Sequence, residues 1–329
     1  MNSGKIPLLV VSGPTASGKT RLAIDFAVKL GGEIVCADSM QVYKDMIIGT
    51  ASPSEEETGR VPHHLFNIIS PGESFSVARY LELAKPCIKE IAKRGKLPIL
   101  CGGTGLYISS LIHNITFDRS IPEMPAFRDA LGLLAKEQGN LALWDKLAEI
   151  DPQLAKNLHP NNQGRIIRAL EVYKQTGITM SEWQRRSRLQ ESEYITYYIS
   201  LSYRDREILY NRINRRVDQM IEAGLLDEIR KLAAGGYSGT AMQAIGYKEF
   251  AQYLEGKQTL EDAKDHLRRQ TRRYAKRQLT WLRREKDIVW LYRDDFESYL
   301  PMLISALDNI RKSEMLKTFL SEKNNGEAL

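Results

Sequence analysis

Eight consecutive residues, Gly13, Pro14, Thr15, Ala16, Ser17, Gly18, Lys19 and Thr20, follow the pattern G-x-x-x-x-G-K-[ST]. Backbone N–H groups in such a loop, with the N-terminus of a following helix, cradle phosphate oxygens. Lys19 adds a positive charge at the terminal phosphate, and the Thr20 hydroxyl can hold Mg2+. The pattern fixes phosphate as the ligand class without saying which phosphate compound binds. A second cluster is Asp38-Ser39-Met40-Gln41-Val42-Tyr43. A carboxylate there can accept a proton, orient an attacking group or reach Mg2+ through water; the plainer alternative is a helix N-cap. A third is Gly102-Gly103-Thr104-Gly105-Leu106-Tyr107. Its glycines allow backbone to approach a ligand, and Thr104 can give its hydroxyl to charge developing on a leaving group. A loop with a threonine cap is the alternative.

Cations come next. Arg212, Arg215 and Arg216 are three or four residues apart, so two of them can share a helix face, and a guanidinium fork suits a pyrophosphate. The densest charge lies between His266 and Arg284, where Arg268, Arg269, Arg272, Arg273, Lys276, Arg277, Arg283 and Arg284 meet few acids and Tyr274 and Trp281 interleave. Charges for phosphates and rings for stacking suit RNA, although a charge run is ordinarily a solvated face. Arg165, Arg168, Arg185, Arg186 and Arg188 form a second basic group. Adjacent His63 and His64 diverge on a strand and suggest no metal site.

The elements that must position these groups follow from periodicity. Apolar runs at 6–11, 33–37 and 97–101 read as buried strands, each ending at one of the three clusters. Helices are expected from Lys19 to Leu30, stopped by Gly31-Gly32, and from about residue 80. Strand, helix, strand, helix, strand implies right-handed crossovers and a parallel sheet, with ligands beyond its carboxyl edge. The character turns helical and strand-poor after Phe117, with Pro122 and Pro125 as a linker. A strand is expected again at 194–201, then a long helix at 205–233 broken near Gly224, a helix at 260–284 and a last strand at 288–291. The expected organisation is a catalytic core of residues 1–116 and 193–312, an inserted helical domain at 117–192, and a frayed tail at 313–329.

The 329 residues carry a net charge of +6 and three cysteines, Cys36, Cys87 and Cys101. Sparse unpaired cysteines argue against a disulfide framework or a zinc module. No apolar run reaches the ~20 residues of a membrane span, and the run at 6–11 is too short for a signal-peptide core. The default expectation is a cytoplasmic protein.

Taken in order, "GPTASGKT", "DSMQVY", "VPHHL", "GGTGLY", "RIIRALEVY", "RRVDQMIEAGL", "QAIGYKE" and "YAKRQLTW" resemble the blocks of the bacterial tRNA dimethylallyltransferases, also called tRNA isopentenyltransferases. The match extends to about residue 295. The resemblance implies a P-loop NTPase-like α/β fold with a helical, tRNA-binding insert. It implies transfer of a dimethylallyl group from dimethylallyl diphosphate to N6 of the adenine 3′-adjacent to the anticodon, in tRNAs reading codons that begin with U. Asp38 then matches the base, Thr104 assists the leaving diphosphate, Lys19 and Arg216 are its cationic ligands, and Thr20 contacts Mg2+. The resemblance places tRNA against Asp38, Ser39, Met40, Gln41 and Thr104, and against Gly164, Arg165, Ile166, Ile167 and Arg168. It adds Gln243, Ala244, Ile245, Gly246, Tyr247 and Lys248, and Lys276, Arg277, Gln278, Leu279, Thr280, Trp281, Leu282 and Arg283. The partners are the tRNA anticodon stem-loop and dimethylallyl diphosphate, with no membrane, and a monomer is expected. Ser52 stands where many relatives carry lysine. The competing readings are an adenine-nucleotide prenyltransferase, a P-loop small-molecule or nucleoside kinase, and a non-catalytic RNA-binding protein.

Overall fold

Four hydrophobic residues in a row, Leu8-Leu9-Val10-Val11, are each completely buried. A strand with water on one face would alternate; an unbroken run needs cover on both faces. A computed structural model describes residues 4–116, 123–187, 190–236 and 241–326, with side chains to 323. It places this run in β1 (Ile6–Ser12), inside a sheet with β2 (Gly32–Cys36), β3 (His63–His64), β4 (Leu97–Gly102), β5 (Tyr194–Ser202) and β6 (Ile288–Tyr292). The order is β3-β2-β4-β1-β5-β6, and every pairing is parallel. The sheet and its flanking helices confirm the α/β fold class.

Alternate residues of β1 serve different cores. Leu9 and Val11 join the cluster formed with the helix Lys19–Leu30 and the helix Tyr299–Lys312. Leu8 and Val10 join the opposite cluster, formed with the helices Val77–Lys93 and Gly105–Ile112. Each fully buried aliphatic side chain contributes about 1.5–3 kcal/mol. Cys36 and Cys101 are buried in the sheet as small hydrophobes.

The chain forms two compact units, Met1–Ile112 with Ser192–Leu329, and His113–Glu191. Within the second, the helices Pro125–Ile150 and Gln163–Thr176 share a core of Leu131, Leu143, Leu147, Ile166 and Leu170. Its central ion cluster is built on Glu171, which is fully buried. Glu171 accepts from Arg128 Nε at 2.8 Å, from Arg168 at 2.5 Å and from the Met124 N–H at 2.6 Å. Burial opposes the charge, but these donors overcome it and hold the carboxyl at about 2. Residues 117–122 of the expected linker, and Arg188, lie outside the described residues.

One expectation fails outright. Residues 314–326 are not a frayed tail: Glu314–Gly326 is a helix, and its Met315, Leu316 and Phe319 are buried with β1 and the Lys19–Leu30 helix. Three apolar side chains within about one helical turn are enough to dock it, and the polar residues around them had hidden that spacing. The break at Gly224 is real: Arg206–Glu222 and Leu225–Ala234 are separate helices, and Gly224 takes φ 97° between them.

Candidate active site

Asp38 stands two residues beyond β2, after Ala37, which donates its N–H to the Cys101 carbonyl at 2.8 Å. Its carboxylate accepts from the Met40 N–H at 3.0 Å, a turn that leaves Asp38 half-buried at the sheet edge. Thr104 is held against the same segment. Its N–H donates to the Ala37 carbonyl at 3.1 Å, and its Oγ1 accepts from the Ser39 N–H at 2.9 Å. The close approach of these loops depends on Gly102, where a Cβ would sit 2.2 Å from the Ala37 oxygen. Asp38 and Thr104, 66 positions apart in sequence, are therefore held together through hydrogen bonds between their loops.

Lys19 and Arg216 face Asp38 across this edge. Burial lowers the proton affinity of Lys19; the Asp38 charge raises it and the nearby Arg216 lowers it. Arg216 is lowered by burial first, raised by Asp38 and lowered by Arg212. Two desolvated cations beside one carboxylate leave positive charge to be met by an anionic ligand. Arg212 acts on the loop instead. Its Nε donates to the Ala16 carbonyl at 2.9 Å, steadying a phosphate-loop residue whose φ is +63°. Ala16 also packs with Leu209, Ile213 and Ala275, so the loop rests on two helices, Arg206–Glu222 and Leu260–Leu282.

Gln41 holds a neighbouring loop. Its Nε2 donates to the carbonyls of Thr50 at 3.2 Å and Ala51 at 2.9 Å. Ser52 lies in the same loop, its hydroxyl 3.0 Å from that of Thr50. The loop is pinned by Glu228, which accepts the N–H groups of Ile47 at 2.9 Å, Ile48 at 2.8 Å and Gly49 at 2.9 Å. The Tyr247 hydroxyl donates to the same carboxylate at 2.8 Å. Sequence reasoning missed Glu228; an acid on a mixed-charge helix carries no local signal that loop amides about 180 residues away converge on it.

The residues expected to touch tRNA divide by exposure. Gly164, Arg165, Gln243, Lys248, Lys276, Arg277, Thr280 and Arg283 are exposed. Ile167, Ile245, Leu279 and Trp281 are half-buried. The side chains of Ile166, Ala244, Tyr247, Gln278 and Leu282 are buried within the protein. Arg168 is committed to Glu171. On the basic helix Leu260–Leu282 the run also divides. Arg268 pairs with Asp218 at 2.5 Å, Asp265 at 2.7 Å and Glu261 at 2.8 Å, and Arg272 donates to Asn214 at 2.6 Å. Those two guanidiniums clamp one helix to its neighbour. Arg269, Arg273, Lys276 and Arg277 are exposed and form no ion pair among the described residues. Four such cations on one helix suit a polyanionic backbone.

A glycine-rich loop of phosphate-binding pattern on a parallel sheet, near a carboxylate and two half-buried cations, defines a P-loop-like α/β protein. The family profile "IPP transferase" matches residues 41–285, and "Isopentenyl transferase" matches residues 6–65. The chain belongs to the IPP transferase family. It is 47% identical over 297 residues to the tRNA dimethylallyltransferase of Caldanaerobacter subterraneus, covering 89% of this chain and 94% of that protein. It is 50% identical over 293 residues to that of Acetivibrio thermocellus, covering 88% and 93%. The crystal structure of the full-length tRNA isopentenylpyrophosphate transferase from Bacillus halodurans matches with a TM-score of 0.70 and 44% identity, covering 99% of this chain and 100% of that one. A eukaryotic dimethylallyltransferase, described as acting on tRNA, matches with a TM-score of 0.77 and 30% identity, covering 94% and 82%.

Proposed function

We propose that this protein transfers a dimethylallyl group from dimethylallyl diphosphate to N6 of the adenine 3′-adjacent to the anticodon in tRNAs reading codons that begin with U. The observation that carries the reading is the meeting of the phosphate loop, Asp38 and Thr104 at one sheet edge, in a chain of this family. The N6 amine is a poor nucleophile because its lone pair is conjugated into the ring. Asp38 takes the amine proton as the N–C bond to the allylic carbon forms. The C–O bond to the diphosphate breaks, and Lys19 and Arg216 take up the charge that develops there. The Thr104 hydroxyl, 3.3 Å from the Ser39 hydroxyl, can turn from it toward a bridging oxygen.

No group of three or more His, Cys, Asp or Glu side chains that could hold a metal lies among the described residues. Thr20 in the first helical turn and Asp38 at the edge are the donors available. That sparse oxygen set fits Mg2+, which keeps most of its shell as water and phosphate oxygens. Bound there with the diphosphate, Mg2+ would neutralise part of its charge. No helix among the described residues is long and apolar enough to cross a membrane. The reading takes the protein as a cytoplasmic monomer, and sedimentation with and without tRNA checks the oligomeric state.

The decisive experiment incubates the protein with labelled dimethylallyl diphosphate, Mg2+ and unmodified tRNA. Label in an anticodon loop carrying adenine at that position supports the reading; label in free AMP only, or ATP-dependent phosphorylation in its place, overturns it.

A further inference from the structure

We propose that Gln278 is a positioning residue for the donor site, through which the basic helix sets the phosphate loop. The residue lies in the stretch that the family resemblance places against RNA, yet its amide points inward and is 5% exposed. Gln278 Oε1 accepts from the Thr15 N–H at 2.9 Å, and Nε2 donates to the Gly103 carbonyl at 3.0 Å. Thr15 is in the phosphate loop; Gly103 immediately precedes Thr104. One side chain thus spans the two loops that face the diphosphate, 88 positions apart in sequence. The fit is tight, because a Cβ on Gly103 would lie 2.2 Å from Nε2.

The neighbours on that helix point the same way. Tyr274, one turn earlier, meets the side chains of Thr104 and Gln278. Ala275 packs with Ala16 of the phosphate loop. Trp281 lies where a Cβ on Gly105 would come within 2.0 Å of its ring. Residues 274, 275, 278 and 281 form one helical stripe against the donor loops, and Arg273, Lys276 and Arg277 are exposed on the same helix. RNA held by the exposed cations therefore grips the element that fixes the phosphate loop. An amide that merely satisfied two buried backbone groups would matter to stability alone; here both groups belong to ligand-holding loops, so their spacing sets the donor site.

This inference rests on the prenyl-transfer reading, and its test separates the two. Donor binding is measured by titrating the full-length protein with inorganic pyrophosphate, and transfer by KM for dimethylallyl diphosphate. Gln278→Leu should weaken both about tenfold, the loss of one to two buried hydrogen bonds, and lower the melting temperature by a few degrees, while tRNA affinity stays near wild type. Gln278→Glu gives a readout that a structural role would not move. A protonated carboxyl reproduces the donor to Gly103 and the acceptor for Thr15; an ionised one faces the Gly103 carbonyl without a proton. Relative to wild type at each pH, pyrophosphate affinity of Gln278→Glu should recover between about pH 8 and about pH 6, since burial raises a carboxyl's pKa. Unchanged pyrophosphate affinity in Gln278→Leu overturns the proposal. So does a pH-independent defect in Gln278→Glu, or a loss confined to tRNA affinity. A wild-type protein that binds pyrophosphate but transfers no prenyl group overturns the functional reading instead and leaves the pyrophosphate test of Gln278 standing.

Discussion

At the scale of single residues, the site divides labour among groups of like chemistry. Arg212 and Arg216 are one helical turn apart, yet one grips a loop carbonyl and the other lies beside Asp38. Asp38→Asn preserves shape and the turn to Met40, and removes only the carboxylate proposed as the base. Transfer should fall about 10²- to 10⁴-fold, read as single-turnover label incorporation, with tRNA retention on a filter unchanged. The sequence made Asp38, Thr104 and Lys19 legible because each follows a buried strand, and parallel strands deliver their carboxyl ends to one place. It could not tell Gln278 from its exposed neighbours: the same amide serves equally on an RNA face or under a loop, and only the packing of Tyr274 and Ala275 decides.

At the scale of elements, the basic helix carries two populations of arginine, and they should behave differently when removed. Arg277→Ala should weaken tRNA binding and reduce the slope of log affinity against log salt by about 1. Arg268→Ala should leave that slope alone and lower the melting temperature, because it unties Asp218 and two acids of its own helix. A basic run in sequence shows its charges but not the acids that other helices bring to them. In the insert, Glu171 has its carboxyl held at about 2 against an ordinary 4.5. A depressed carboxyl contributes stability that is complete above its unfolded value and is lost as protons bind. Protection of the Gln163–Thr176 amides, corrected for the intrinsic exchange rate at each pH, should therefore fall as pH falls from about 4.5 toward about 2. Glu171→Gln should expose those amides at neutral pH, since two guanidiniums lose their counter-charge.

At the scale of the whole molecule, the last helix is part of the catalytic unit. A chain ending at residue 312 loses Met315, Leu316 and Phe319 from the cluster beneath β1. Phe319→Ala alone should cost about 3–5 kcal/mol in denaturant unfolding, where a frayed tail would cost nothing. The sheet was readable from its apolar runs, but the docked terminus was not, since its three contacts are diluted by lysines, glutamates and asparagines.

That docking has a consequence for biosynthesis. β1 leaves the ribosome before either of its neighbours: it can find β4 once residue 102 exists, but β5 begins at Tyr194. At roughly 5–20 residues per second it waits about 10–40 s with one edge unpaired, and the cover supplied by Phe319 comes last of all. The phosphate loop, joined directly to β1, inherits this delay: until β5 is made, nascent chains carry a phosphate loop whose supporting strand is open to other strands. A hydrophobic edge that must stay unclaimed until β5 is made is where a chaperone would be needed first.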